Sequence, residues 1–422
     1  MVFGLILILN RLRLHLSLAL LIGSLILGLW MGMGHEGFML SLLKSISSMQ
    51  TISLLLIVGL IMVMSRIMEE SGHMARLVSS FAGLSKDPRT VGSVMSALIG
   101  LLPMPGGALF SAPMVDTSLS RLSITAEQKT AVNYWFRHIW EFWWPLYPGV
   151  ILAVALLEVE TWHFMAIMAP MTLVSIMAGV FFILRPIGKT EENHQDSFSL
   201  SGIKQFIWEM IPILIVIFFI VALTALAGIL RLLGFSHQIP PLLSILPGLM
   251  ISIIWVSCVN HAPLSQVKSA ATSRDNLAML FLVIAIMIFK GVMEDSNAVA
   301  HISDELIAYR IPVIFLILIM PFLSGIVLGI AIGFVGASFP LIIPLFHTTN
   351  LLDYLSFAGL AYTFGYMGMM LSPVHLCFLV TKDYFKASLL NSYRHIIKPA
   401  LTVMSVSGAL FLITRILYFG NH

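Results

Sequence analysis

The chain has 422 residues, 59% hydrophobic and only 10% charged, with a mean hydropathy of +0.98 and a formal charge of +3. That balance excludes a soluble globular domain, and the absence of a basic patch excludes a nucleic-acid binder. Cys258 and Cys377 both lie in apolar runs, which excludes a disulfide framework and a CxxC metal site.

In chain order, residues 2–9 are apolar but too short to cross a bilayer. With neither a basic leading region nor a small-residue cleavage site, they read as retained. Spans are predicted at about 17–33, 52–69, 126–156 and 162–184. A polar linker follows at 188–202, then a connecting span at about 206–232. A second set is predicted at about 242–258, 276–294, 354–380 and 398–418. This makes an all-α polytopic membrane protein with about nine transmembrane helices. Between the second and third span of each set lies a different kind of segment. Residues 90–118 contain Pro103, Met104, Pro105, Gly106 and Gly107; residues 312–346 contain Gly325, Gly329, Gly333, Gly336 and Pro340. Neither continues as an unbroken helix. Irregular backbone at membrane depth needs protein or a wet cavity to satisfy it, so both read as re-entrant helical hairpins.

The two sets are copies of one another. Ile61, Met62, Met68, Glu69, Glu70 and Ser71 reappear 225 residues on as Ile286, Met287, Met293, Glu294, Asp295 and Ser296. Gly23 and Trp30 fall on Gly248 and Trp255. Further along, Gly106, Ser111 and Pro113 fall on Gly333, Ser338 and Pro340, and Tyr134, Phe136 and Pro145 on Tyr362, Phe364 and Pro373. Gly, Pro, Trp and acidic identities in near-constant register are hard to obtain by chance. Duplication with Gly/Pro-interrupted segments at matching places points to a secondary transporter. If each hairpin returns to the side it entered, seventeen of the 23 Lys and Arg residues fall on one side and four on the other. The positive-inside rule favours that arrangement, with the N-terminus cytoplasmic. Five spans then separate equivalent helices, so the repeats are inverted. The resulting division is 1–187 for the first repeat, 188–241 for a cytoplasmic linker and connecting helix, and 242–422 for the second repeat.

The string Leu102-Pro103-Met104-Pro105-Gly106-Gly107-Ala108, the following Phe110-Ser111-Ala112-Pro113-Met114-Val115, and Met68-Glu69-Glu70-Ser71-Gly72 resemble the prokaryotic membrane family catalogued as domain of unknown function 401. The resemblance covers essentially the whole chain. It implies a branch of the ion transporter superfamily, alongside gluconate permeases and citrate and dicarboxylate symporters. It also implies an elevator-type carrier in the cytoplasmic (inner) membrane, often a homodimer, with substrate between two hairpin tips and two unwound helices. It supplies no substrate.

The first tip, Pro105, Gly106 and Gly107, lets backbone N–H groups approach a ligand at the start of a half-helix, which suits a carboxylate. The competing reading is tight helix packing. The second tip is expected at Gly333–Gly336, with Ser338 beside it; Ser338 matches Ser111 in the repeat. Each serine is either a ligand or a hydroxyl bonded one turn back along its own helix. The 126–156 segment holds Asn133, Arg137, His138 and Glu141 before Trp144-Pro145-Leu146-Tyr147-Pro148-Gly149, whose prolines unwind it. Arg137 and Glu141 share a helix face if the helix persists. Ionisable groups at such depth default to function. Arg137 would pair a substrate carboxylate, with Asn133 and Tyr147 as polar contacts; Glu141 or His138 would carry a coupling proton. The competing reading is a structural Arg–Glu pair. His138 and Glu141 alone do not make a metal site. The matching break, 370–375, replaces the charges with Ser372, Tyr366 and His375; His375 is a further proton carrier or a core histidine. Trp135, Trp140, Trp143 and Trp144 line a pocket or face lipid. Lys290 is expected to pair with Glu294, four residues on.

The sequence thus predicts a secondary carrier of a small organic anion driven by Na⁺ or H⁺, with no cofactor beyond a possible coupling Na⁺. The alternatives are an intramembrane enzyme or a channel. No HExxH, GxSxG or P-loop string is present, which argues against an enzyme and a primary pump. Two hairpins that each block half the path argue against a channel.

Overall fold

The computed structural model describes residues 1–82, 87–104, 107–188, 200–234, 241–346, 348 and 350–419. Every regular element among them is helical. The first ten helices are α1 (Val2–Arg11), α2 (Leu16–Trp30), α3 (His35–Ser47), α4 (Met49–Glu70), α5 (His73–Ala82), α6 (Pro88–Ile99), α7 (Gly107–Leu119), α8 (Ala126–Arg137), α9 (Pro148–Leu157) and α10 (Thr161–Gly179), the last extended by a π turn, Val180–Leu184. The next ten are α11 (Leu200–Leu232), α12 (Leu246–Val259), α13 (Leu264–Ala271), α14 (Arg274–Asp295), α15 (Ala298–Ala308), α16 (Val313–Leu328), α17 (Ala331–Ile342), α18 (Leu351–Met370), α19 (Leu376–Phe385) and α20 (Leu389–Phe419).

Six stretches are long and apolar enough to cross a membrane: Met49–Glu70, Thr161–Leu184, Gly202–Leu230, Leu242–Val259, Arg274–Asp295 and Leu389–Leu417. At 1.5 Å per residue, each spans or nearly spans a hydrocarbon core of about 30 Å. The chain is therefore a multi-pass helical membrane protein. The most hydrophobic of them, on α11, is the least covered by protein, and leaves Phe218, Val221 and Ile229 outside. Apolar side chains with no protein partner are what a lipid-facing helix presents. The other three predicted spans differ from expectation. The 17–33 segment is the 15-residue α2, and 126–156 and 354–380 are each two helices. Helices α3 and α13 were not anticipated, because each is short and of mixed polarity. Of the predicted 188–202 linker, residues 189–199 lie outside the described residues.

Local chemistry sets the ends of α4 and α14. Ser48 accepts from the Thr51 N–H and Ser273 from the Asn276 N–H, capping two 22-residue helices. Gly72 (φ 70°) and Asn297 (φ 55°) turn the chain after them in the left-handed region. The two helices run antiparallel. Gln50, at the start of α4, accepts from the Lys290 ammonium near the end of α14 at 3.1 Å. Lys290 also contacts Glu294 at 3.6 Å, as expected, and Glu158 at 2.9 Å.

The predicted hairpins are α6–α7 and α16–α17, and each pair packs together. Their individual helices have 12, 13, 16 and 12 residues. The turn of the second hairpin is not at 333–336. Gly333 and Gly336 lie inside α17; the chain reverses at Gly329 (φ 65°), followed by extended Ile330. Gly329 alone adopts the positive φ that glycine tolerates. Gly333 and Gly336 instead let α17 approach its neighbours. A Cβ on Gly336 would lie 2.4 Å from Ile286 Cδ1 of α14. Likewise a Cβ on Gly325 would lie 2.2 Å from the Gly365 carbonyl oxygen, so α16 and α18 pack backbone to backbone.

Candidate functional site

Helix α8 stops at Arg137, eight residues before the first proline expected to break it. Residues 138–147 then run as successive tight turns until Pro148 opens α9. Proline sterics reach back about one turn, so they do not end the helix at Arg137. Side chains from other helices take over the backbone groups instead. Tyr366 donates to the His138 carbonyl at 2.5 Å, Thr172 to the Ile139 carbonyl at 2.6 Å and Tyr362 to the Glu141 carbonyl at 2.8 Å. In the opposite direction, Trp140 donates to the Ala97 carbonyl and Trp144 to the Leu101 carbonyl, each at 2.9 Å, and Tyr147 to the Gly100 carbonyl. These carbonyls lie at the end of α6 and just beyond it. Trp135 and Trp143 donate to the Ser175 carbonyl and the Thr172 hydroxyl, both at 3.0 Å. The four tryptophans are hydrogen-bonded pins, Trp135 and Trp144 buried and Trp140 and Trp143 half-buried.

The second break is shorter. Helix α18 ends at Met370 and α19 begins at Leu376. Tyr134 donates to the Met370 carbonyl at 2.9 Å, Tyr393 to the Leu371 carbonyl at 3.1 Å, and Ser372 to the Ile326 carbonyl at 2.6 Å. The two breaks therefore exchange caps: Tyr134 of the first broken helix serves the second, and Tyr362 of the second serves the first.

Four non-helical places converge. A Cβ on Gly107 would lie 2.5 Å from Arg137 Nη2, so the start of α7 lies on the guanidinium. A Cβ on Gly329 would lie 3.1 Å from both His375 N and Ser372 Oγ, so the second turn lies on the second break. A Cβ on Gly149 would lie 2.7 Å from the Ala331 Cβ, which seats the start of α9 on that same turn. His138 Nε2 and His375 Nε2 are 3.2 Å apart and join the breaks. Pro105 and Gly106, the centre of the predicted first tip, lie outside the described residues.

The charged groups are buried: Arg137, His138 and Glu141 are 3%, 2% and 8% exposed. Arg137 Nη2 donates to the Met104 carbonyl at 3.3 Å, while Nη1 has no hydrogen-bond partner among the described residues. The expected Arg137–Glu141 pairing across a helix face does not form, because the helix ends between them. Glu141 instead lies 3.8 Å from His138 Nε2. His138 Nδ1 is 2.6 Å from the Tyr134 carbonyl, which can only accept. Nδ1 therefore carries the proton and Nε2 is an acceptor in the neutral ring, so His375 donates through Nε2. One hydrogen bond between the two imidazoles thus joins the two breaks.

The remaining predicted polar contacts are satisfied within the protein. Asn133 donates to the Ala108 carbonyl and Thr381 Oγ1 and accepts from Ser96, at 3.1–3.2 Å. Ser111 and Ser338 return their hydroxyls to their own helices, at 3.3 Å to Gly107 and 2.6 Å to Phe334. For both serines the helix-hydroxyl reading describes the geometry. Sequence reasoning missed Cys377, Thr381 and Ser96, whose residue types carry no signal until the fold brings them to the site. Ligand atoms of His138, His375 and Cys377 lie within 4.8 Å of one another, a donor set that suits a borderline metal such as zinc. The metal expectation counted only His138 and Glu141. Against a divalent ion stands Arg137, whose fixed charge lies against Cys377. A buried guanidinium with one nitrogen unpartnered among the described residues favours an anion instead.

The family model described as protein of unknown function (DUF401) matches residues 1–414. A search of the curated proteins finds no match. With nearly its full length covered by that model, the chain belongs to the DUF401 family.

Proposed function

We propose that this chain is a secondary active carrier of a small carboxylate-like anion, driven by Na⁺ or H⁺. The observation that carries the reading is Arg137: buried, beside the first tip, with one donor unclaimed among the described residues. An unsatisfied buried donor on a charged group is costly, and an oxyanion relieves it with charge-assisted bonds. The anion sits against Arg137 between the first tip and residues 145–149. Glu141 keeps the local charge from trapping the anion and, with the His138–His375 dyad, carries the coupling proton if H⁺ drives transport.

We read the architecture as two inverted repeats of the ion transporter superfamily, working by an elevator motion in a prokaryotic inner membrane, as a homodimer with a cytoplasmic N-terminus. Matched caps support the duplication. Ser48 and Ser273, and Gly72 and Asn297, are each 225 residues apart, and the left-handed residues Glu158 and Lys386 that end α9 and α19 are 228 apart. The exchanged tyrosines, Tyr134 and Tyr362, share the latter offset. Hairpin helices of 12–16 residues, short of the roughly 20 a span needs, support re-entrant placement.

The test is a thermal-shift screen of purified protein against a carboxylate panel, with and without Na⁺, followed by uptake of the best ligand into proteoliposomes. Stabilisation by a carboxylate that is lost in Arg137→Gln supports the reading. Glu141→Gln then changes the pH dependence of uptake. Parent-like transport by both variants refutes the site.

A further inference from the structure

The antiparallel α4–α14 pair carries a cavity at each end. One, of about 190 Å³, is lined by Lys290, Glu294, Glu158 and Tyr354 among others. The other, of about 290 Å³, is lined by Met62, Ser65, Arg66, Glu69, Glu70, Ser273 and Asp275. The 225-residue register that matches Ser48 with Ser273 also relates the cavities. Lys290 corresponds to Ser65, Glu294 to Glu69, and Gln50, which accepts from Lys290, to Asp275.

In the first cavity the Lys290 ammonium is surrounded by oxygens: Glu158 at 2.9 Å, Gln50 at 3.1 Å and Glu294 at 3.6 Å. In the second, the equivalent helix position holds Ser65, which is 2% exposed and whose Oγ has no hydrogen-bond partner among the described residues. Arg66 does not substitute for the lysine. Its Nε is bound to Glu70 at 2.7 Å, and the other Glu70 oxygen accepts from Gln266 at 3.1 Å. Among the described residues Glu69 and Asp275 have no such partner, and the one cation that lines the cavity, Arg66, faces three carboxylates. The second cavity thus repeats two of the three oxygen-bearing positions around Lys290, Glu294 as Glu69 and Gln50 as Asp275, without the ammonium; Glu158 has no counterpart in its lining. A buried hydroxyl with no partner is an unexplained cost unless something binds it.

We propose that the Ser65–Glu69–Asp275 cavity binds a monovalent alkali cation, Na⁺ or K⁺, at the place the Lys290 ammonium takes in the related cavity. Carboxylate and hydroxyl oxygens are hard donors that suit such an ion. At the equivalent position the first cavity holds a single charge, the Lys290 ammonium. The proposal rests on the repeat register and not on anion transport.

The experiment follows the thermal midpoint of the purified full-length protein in NaCl, KCl and choline chloride at equal ionic strength. Sodium or potassium should raise the midpoint saturably by about 1–3 °C over choline. Glu69→Gln and Asp275→Asn should each abolish that response. Ser65→Lys carries its own ammonium, so its midpoint should no longer depend on the cation. The converse change, Lys290→Ser, should add a second cation response. Equal midpoints in all three salts, a response that survives both carboxyl substitutions, or stabilisation by Mg²⁺ or Ca²⁺ alone would overturn the proposal. If Ser65→Lys does not fold, the two carboxyl variants decide. Failure of the anion reading appears in the Arg137→Gln uptake assay and leaves this measurement intact.

Discussion

The longer unwound segment, 138–147, keeps Glu141 and His138 and is held by side chains from α10 and α18 while it pins the end of α6. The shorter one, 371–375, has no acidic or basic residue except His375 and is held by Tyr134 and Tyr393 and by its own Ser372. Both interrupt a helix that the duplication makes equivalent, yet only one borders a fixed charge. Arg137 aligns with Gly365, where a Cβ would lie 2.4 Å from the Phe334 ring of α17. The contrast is that one break borders a fixed charge, while the other is closely packed and holds the histidine that meets His138.

The largest effect should come from the charge itself. Arg137→Gln should weaken binding of a stabilising carboxylate by about 10- to 100-fold, the worth of a charge-assisted hydrogen bond. Arg137→Lys should restore little of it, since a single ammonium does not reproduce the guanidinium fork. Ligand titrations by thermal shift read both. If 371–375 carried the anion instead, neither change would matter.

The supports should separate the breaks next. Tyr362→Phe or Tyr366→Phe leaves a buried carbonyl of the longer segment without its hydroxyl, at about 1–3 kcal/mol. Tyr393→Phe, at a half-buried position on the shorter segment, should cost about 0.5–1.5 kcal/mol. Unfolding midpoints of the three variants compare them directly; equal losses would mean that the two segments are equally held.

Gly329→Ala should destabilise the second turn by about 1–2 kcal/mol, through left-handed strain and contact with Ser372. Gly32→Ala, at a similar φ with open space around it, should show the strain alone. The smallest effects belong to Ser111→Ala and Ser338→Ala. Each removes only a hydroxyl bonded back to its own helix, so stability should change by less than about 0.5 kcal/mol and ligand affinity hardly at all. A tenfold loss of affinity in either would restore that serine to the site.

Much of this arrangement was legible in the sequence because it is written in residues with few roles. Pro and Gly clusters marked both hairpins and both breaks, and the acidic pairs Glu69-Glu70 and Glu294-Asp295 fixed the register. What was not legible depends on distant partners. Pro145 and Pro148 mark only the far end of the longer break; its near end, at His138, is set by Tyr362, Tyr366 and Thr172 from other helices. The second turn was placed four residues late because several glycines share that stretch, and only the backbone angle of Gly329 distinguishes a reversal from a packing contact. Cys377 reached the site without notice, since a cysteine in an apolar run reads as core.

The hydroxyl and indole bonds around 138–147 have a mechanical consequence. An interrupted helix is easily pictured as a soft joint, but here its carbonyls at 138, 139 and 141 are anchored to two neighbouring helices and its side chains anchor a third. The segment behaves as a strut that fastens the first hairpin, α10 and α18 into one stiff block. The elevator motion proposed above would instead call for a seam of carbon on carbon, such as the one where a Cβ on Gly333 would meet Leu16 and one on Gly336 would meet Ile286, with α17 against α2 and α14.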